Sequence, residues 1–480
     1  NKEECNLKGW SVCPEQRNGL PLHNFYDKNT SRYKYMNMKN WIKENEILNI
    51  ALPSILSNIT VPLLSLVDLT IVGHLGASAY IAAIAVGGTV FNMLYWVFAF
   101  LRMGTTGITA QFYGAGRQDE VMATLLRSLV LAVTISLLQL VLQEQVLDFA
   151  FRVMETGPEV AVYVNQYFHI CIWGAPAMLM QYCFFGWFIA VQEARFPLYV
   201  SVFQNVVNIV CSAVFVFGLH WSVRGVALGT LIAQWSSVLL SVLFLGYWLR
   251  HHRDARFFVW HRLSDVRALL RLFDVNKDIF LRTLCLVCVT LYFTSVGTEQ
   301  GEVVLSANVF LMQFFTFYSY FMDGFAYAGE SLTGKYYGAR QIDHLRSVFR
   351  QLFRWGGSIA LVFTVLYAAG GRLALGWLTD NAEVVDTAAH YLVWVLLIPF
   401  VSVSAFLWDG IFIGLTATRQ MLLSMFIAGC LFFLILFSVP LADRNHTLWL
   451  AFLVYLFSRG MVQSFLYRKK IRHRLAVWKR

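Results

Sequence analysis

Long apolar runs separated by short polar turns fill the chain from residue 47 to residue 467. A helix needs about 20 apolar residues to cross the hydrocarbon layer at a rise of 1.5 Å per residue. Twelve runs meet that length, near 47–72, 79–101, 122–146, 160–190, 197–219, 225–249, 278–297, 303–328, 348–370, 387–415, 420–441 and 447–467. The fourth and tenth are long enough to tilt or to project past the bilayer. A membrane β-barrel would show short alternating segments instead. The pattern therefore predicts an all-α membrane protein with twelve transmembrane helices. Pro53, Pro62, Pro176 and Pro399 fall inside runs, where neighbouring helices can satisfy the carbonyls that proline leaves free.

The pattern repeats. At a constant offset of 224 residues, Val72-Gly73 matches Val296-Gly297, Tyr113-Gly114-Ala115 matches Tyr337-Gly338-Ala339, Gly186 matches Gly410, and Arg195 matches Arg419. One offset held over such a distance is the mark of an internal duplication. Six spans per half is an even number, so both halves take the same orientation, as a parallel repeat about an axis along the membrane normal. The prediction is two pseudo-symmetric six-helix lobes around a central cavity, with rocking of the lobes giving alternating access. The expected boundaries are an N-terminal extension 1–45, an N-lobe 46–249, a basic linker 250–277, a C-lobe 278–467 and a basic tail 468–480.

Composition agrees with a membrane protein: 58% hydrophobic and only 14% charged residues, with a mean hydropathy of +0.57. The net charge of +10 sits on one set of loops. Arg117, Arg195, Lys335, Arg340 and Arg419 lie there, with the linker and the tail, while the opposite loops carry Glu299, Glu302, Asp380, Glu383 and Asp386. The positive-inside rule then places both termini in the cytoplasm and explains the basicity without nucleic acid. Six of eight cysteines lie in spans and read as small apolar fillers. The polar residues 1–35 hold no signal-peptide core, and Met36 or Met38 is expected to be the natural start.

Asp68 is the candidate of greatest interest, a lone carboxylate in ILNIALPSILSNITVPLLSLVDLTIV. An ionisable group at membrane depth is a functional hypothesis by default; the other reading is a helix end at the outer interface. Asn205 and Asn208 share a face of the fifth span, and Thr230 and Gln234 a face of the sixth. Such groups serve either as interhelical glue or as a site. Tyr95 and Trp96 are candidates to line a substrate cavity through cation–π contact. The second half has its own polar network, Arg282, Asp323, Glu330 and Asp409. Asp323 and Glu330 stand two turns apart on one face, and Arg282 is expected to pair with one of them as a structural bridge. His169 reads as a hydrogen-bonded histidine, and Arg127 and Arg350 as side chains that snorkel to the inner surface. There is no Walker motif and no HExxH sequence, so no ATP drive, metal or bound cofactor is expected.

The segment ALPSILSNITVPLLSLVDLTIVGHLG (51–76) resembles the opening helix of multidrug and toxic compound extrusion (MATE) transporters, in the DinF-like branch. NKDIFLRTLCL, FFTFYSYFMDGFAYAGESLTGKYYGA and AFLWDGIFIGLTATR resemble that branch's second-lobe segments. The resemblance runs from about residue 45 to 440. It implies the MATE/MOP-type fold and cation-coupled export of amphipathic, often cationic compounds, with H+ or Na+ as the coupling ion. It further implies a coupling group of Asp68, Asn208 and Thr230, with Pro53 matching the kinking proline of the opening helix; Pro62 is a second helix-kink candidate on its position in the run. Ser212 stands where some members have a second Asp, and a site with one carboxylate suits a proton better than sodium. The expected setting is a bacterial inner membrane, with lipids as surroundings and the chain acting as a monomer. The alternatives are a lipid-linked or polysaccharide flippase of the same superfamily and, more remotely, a membrane-embedded enzyme. His169 and Cys171, two apart on a helix, point different ways and make a poor catalytic dyad.

Overall fold

The computed structural model describes residues 46–60, 62, 67, 68, 70, 71, 73, 78–154, 157–252, 265–439 and 443–471. The N-terminal extension 1–45 with its candidate starts, the middle of the linker and the end of the tail lie outside them. No strand occurs among the described residues. Helix α1 covers 46–60, and the described positions from 62 to 73 are helical too. It is followed by α2 (Ser78–Val97), α3 (Phe100–Gly114), α4 (Gln118–Val141), α5 (Gln143–Met154), α6 (Pro158–Cys171), α7 (Ala175–Ala190), α8 (Arg195–Ala213) and α9 (Ser222–His251). The second half comprises α10 (Val266–Thr298), α11 (Glu302–Gly338), α12 (Ile342–Leu378), α13 (Ala382–Gly414), α14 (Thr418–Ser438) and α15 (Arg444–Leu466).

Among the described residues, eleven helical stretches are long and apolar enough to cross a membrane, and the partly described first run is helical wherever it is described. Two spans are broken internally. The second divides into α2 and α3 at a two-residue turn, and the fourth divides into α6 and α7 at a 3₁₀ turn, Ile172–Gly174. Pro176 explains the second break: it lacks the N–H that would continue the ladder and sits in the first turn of α7. α10 begins at Val266 and carries Arg267, Arg271 and Lys277 of the basic stretch in its first turns.

The duplication is visible in the backbone. Four helices end on a left-handed residue, Gly116 (φ 71°), Gln192 (φ 70°), Arg340 (φ 56°) and Thr416 (φ 51°), and these form two pairs at the repeat offset. Each closes with the same two bonds. After α3, for instance, Gly116 N–H reaches Tyr113 O and Arg117 N–H reaches Phe112 O, the Schellman pattern. Close packing obeys the same symmetry. A Cβ on Gly114 would stand 1.9 Å from Lys335 O, and one on Gly338 1.9 Å from Gln111 O. Lys335 and Gln111 are themselves repeat equivalents. Within the lobes, Gly186 meets Arg102 O and Gly410 meets Ala326 O, another equivalent pair.

These contacts clasp the lobes at one end, where the basic turns lie. Gln111 Nε2 donates to Gly414 O at 2.8 Å and to Thr416 Oγ1 at 3.2 Å; its equivalent, Lys335 Nζ, donates to Gln192 Oε1 at 2.9 Å. On α11, the hydrogen-bonding and ion-pairing partners of the first lobe run from Tyr320 to Tyr336, all in the half of the helix nearer this end. Gly338→Ala should therefore force α3 and α11 apart, at a cost of about 1–3 kcal/mol. Gly357→Ala, with nothing near its Cβ, should be neutral or slightly stabilising. Thermal unfolding of the two variants in detergent checks this, and equal transitions would refute it.

Candidate functional site

The first lobe gathers its polar side chains along one face of α8. Ser201, Asn205, Asn208 and Ser212 recur at helical spacing and point towards α1 and α9. Ser201 and Ser57 hydroxyls lie 2.8 Å apart, and Asn205 Nδ2 donates to Thr60 O at 3.0 Å. This second bond ties α8 to α1 just before Pro62. Asn208 Nδ2 donates to Thr230 Oγ1 at 2.9 Å, and Thr230 Oγ1 donates to Val226 O at 3.1 Å. Asp68 is 6% exposed and stands beside the Asn208 side chain. Among the described residues, Asp68 Oδ1, Asn208 Oδ1 and Ser212 Oγ have no hydrogen-bond partner. Gly229 lets α9 press onto α8 here, since a Cβ would come within 2.3 Å of Ser212 Oγ.

Asp68, Asn208, Thr230 and Ser212 are thus brought to one buried place. Tyr95 belongs nearby: it is buried, and its hydroxyl faces Gln234. Tyr167 and Cys171 lie within electrostatic reach of Asp68. Trp96 is 43% exposed, pointing away from its neighbour Tyr95 as adjacent helical residues do. Pro53 is half-buried in α1 and Pro62 sits at a helical position farther along. A second network, overlooked in the sequence, joins α7, α8 and α9: Ser237 Oγ donates to Gln181 Oε1 and Gln181 Nε2 to Gln204 Oε1, both at 2.8 Å.

The second lobe pairs its charges differently from expectation. Arg282 bonds to Asp409 rather than to Asp323 or Glu330. Asp409 also accepts from Arg459 and, at 2.6 Å, from Gln463 Nε2, so that one carboxylate joins α10, α13 and α15. Glu330 lies two turns nearer the clasped end than Asp323, level with Arg102. There Arg102 Nη1 and Nη2 hold its two oxygens at 3.0 and 3.3 Å, a bidentate bridge between lobes. The guanidinium lies 3.9 Å from the Tyr327 ring centre. Asp323 is half-buried and has no hydrogen bond or ion pair among the described residues.

Arg127 also departs from expectation. It is buried, with Nη1 3.1 Å from Glu120 Oε2, because an internal carboxylate removes the need to snorkel. Arg350 is exposed. His169 bonds to Glu144 Oε1 and Asn165 O. At the unclasped end, His390, Asp443 and His446 come within metal-ligating reach of one another. Trp394 Nε1–H donates to His446 Nδ1 at 2.8 Å. That bond leaves the proton on His446 Nε2, the atom facing Asp443, and works against a metal there.

A polytopic bundle of two related lobes, clasped at one end and holding a buried polar site off the lobe boundary, is the architecture of a membrane transporter. The chain belongs to the MatE family, whose model matches residues 53–214 and 279–439, one stretch in each lobe. DNA damage-inducible protein F of Escherichia coli K12 is 36% identical over 433 residues, covering 90% of this chain and 93% of that protein. A probable multidrug resistance protein NorM of Listeria innocua is 24% identical over 369 residues, covering 75% and 79%. The fold matches that of the Vibrio cholerae MATE transporter VcmN in its bent form, with a TM-score of 0.82 at 15% identity over 92% of this chain and 99% of that one. The chain is a multi-pass membrane transporter and not an enzyme.

Asp409→Ala would strand two buried guanidinium groups, Arg282 and Arg459. The expected loss is roughly 3–5 kcal/mol, read as a large fall in the unfolding temperature of the purified protein. An unchanged temperature would show that the carboxylate does not hold the three helices together.

Proposed function

We propose that the chain exports amphipathic, often cationic compounds across a bacterial inner membrane in exchange for protons, with Asp68 as the coupling carboxylate. The observation that carries this reading is the burial of Asp68 in the first span with one carboxylate oxygen unpartnered among the described residues. A buried carboxylate without a counter-charge is far easier to protonate than an exposed one. Protonation removes the cost of holding it in hydrocarbon, and deprotonation restores that cost, so the proton biases whatever arrangement of α1 exposes the group. Asn208 and Thr230 position it, and Pro53 and Pro62 give α1 places to bend. The relatives named for multidrug resistance support the substrate class.

Asp68→Asn should abolish efflux of ethidium or norfloxacin from a drug-susceptible strain while the variant still accumulates in the membrane. Efflux equal to wild type would sink the role of Asp68. One observation favours sodium as a second reading. Asn208 stands beside the carboxylate, and Asn208 Oδ1 and, one turn on, Ser212 Oγ are unpartnered oxygens among the described residues, of the kind a hard cation takes. In proteoliposomes, proton coupling predicts drug transport driven by a pH gradient and collapsed by a protonophore. Transport that persists with the protonophore and depends on a sodium gradient would move the coupling to sodium.

A further inference from the structure

Two adjoining cavities open at the clasped end of the bundle. The larger, about 470 Å³, lies between the first turns of α10 and the start of α14, with Arg267, Arg271 and Arg419 on its walls. The smaller, about 230 Å³, shares Arg267 and Arg271 and reaches Phe112 and Arg117 of the first lobe. Two carboxylates also line the larger cavity, and both are engaged: Asp274 pairs with Lys277 at 2.9 Å, and Asp278 accepts from Thr418 Oγ1 at 2.9 Å. Arg267 and Arg419 have no ion pair among the described residues. Arg271 gives one N–H to Gln111 Oε1 at 2.8 Å, across the lobe boundary. The cavity is therefore a place of surplus positive charge, where Arg267 and Arg419 have no ion pair among the described residues.

Its depth in the membrane follows from helix length. α10 has 33 residues, about 50 Å of helix against a hydrocarbon layer of about 30 Å. The charged first turns are the part that stands in the headgroup layer. On those same turns Val266, Leu269, Leu270 and Phe273 are exposed, a stripe at helical spacing that flanks Arg267 and Arg271. Apolar side chains turned outward beside unpaired arginines match the two parts of one kind of molecule.

We propose that this junction binds the phosphodiester headgroup of an anionic membrane phospholipid, with the acyl chains lying on the stripe from Val266 to Phe273. The phosphate sits among Arg267, Arg271 and Arg419, and the lipid touches both lobes because the cavities straddle their boundary. A zwitterionic lipid gains less there, since its own cation opposes the arginines. The site stands apart from the Asp68 cluster, and its occupancy does not depend on the identity of the exported compound.

The test uses the purified full-length protein in detergent, with dihexanoyl phosphatidylglycerol, dihexanoyl phosphatidylcholine and inorganic phosphate titrated separately by thermophoresis. Wild type should prefer the glycerol lipid to the choline lipid. Replacing both Arg267 and Arg419 by Ala should weaken binding of the glycerol lipid roughly thirtyfold, from about 1 kcal/mol per arginine. Arg346→Ala, an exposed residue paired with Asp343 elsewhere on the surface, should leave it unchanged and controls for the loss of an arginine outside the cavity. Equal affinity in the double variant, or equal affinity of wild type for the two lipids, would overturn the proposal. Inorganic phosphate binding as tightly as the glycerol lipid would overturn it too, marking a site for a soluble anion.

Discussion

The contact between α3 and α11 governs the arrangement of the lobes. Where Gly114 faces Lys335 O and Gly338 faces Gln111 O, there is no room for a β-carbon on either side. Two helices from opposite lobes can touch backbone to backbone only because both positions are glycine, in the manner of small-residue packing between membrane helices. The Arg102–Glu330 bridge lies farther along the same helices and is nearly inaccessible to solvent. Breaking it by separating the lobes would leave two charges without partners at membrane depth, unless water follows them in. The clasp is thus tight by shape and costly to open by charge, and those two properties fit the closed end of a transporter.

Symmetry governs the scaffold and fails at the chemistry. The left-handed helix ends, the glycine contacts and the hydrogen bonds of Gln111 and Lys335 all recur at the repeat offset. The buried clusters do not. The equivalents of Asp68, Asn208 and Thr230 are Tyr292, Phe432 and Val454, and those of Arg282, Asp409 and Arg459 are Asn58, Phe185 and Trp235. One lobe therefore carries a carboxylate with one oxygen unpartnered among the described residues, and the other a carboxylate saturated by two arginines and a glutamine. Saturation suits a group that holds helices together, and an open oxygen suits one that exchanges a proton. Asp323 is the exception in the second lobe, a half-buried carboxylate that joins no pair among the described residues.

How far the sequence could be read depended on where helices ended. The run 79–101 stopped one residue short of Arg102, which the sequence reading did not single out. In the structure α3 continues to Gly114, placing Arg102 at membrane depth. Glu330 was placed with Asp323 on the eighth span, but its partner was sought within its own lobe; α11 extends to Gly338 and carries Glu330 to Arg102. Hydropathy marks where apolar residues stop, and a helix that buries its polar end against another lobe does not stop there. Arg459 and Gln463, one turn apart inside the last run, were a legible signal that the sequence reading passed over.

The series of apolar helices, the duplication, the two-lobed fold and the isolation of Asp68 followed from the chain itself, because hydropathy, repeat spacing and the cost of a charge in hydrocarbon are local or periodic properties. The pairing of the charges was a tertiary decision. Which arginine meets Glu330 or Asp409 depends on the relative height and rotation of helices far apart in sequence, and a buried charge takes whatever partner that packing presents. The same packing brought Asn208, Thr230 and Ser212 to Asp68, and placed Arg267, Arg271 and Arg419 around one cavity at the membrane surface.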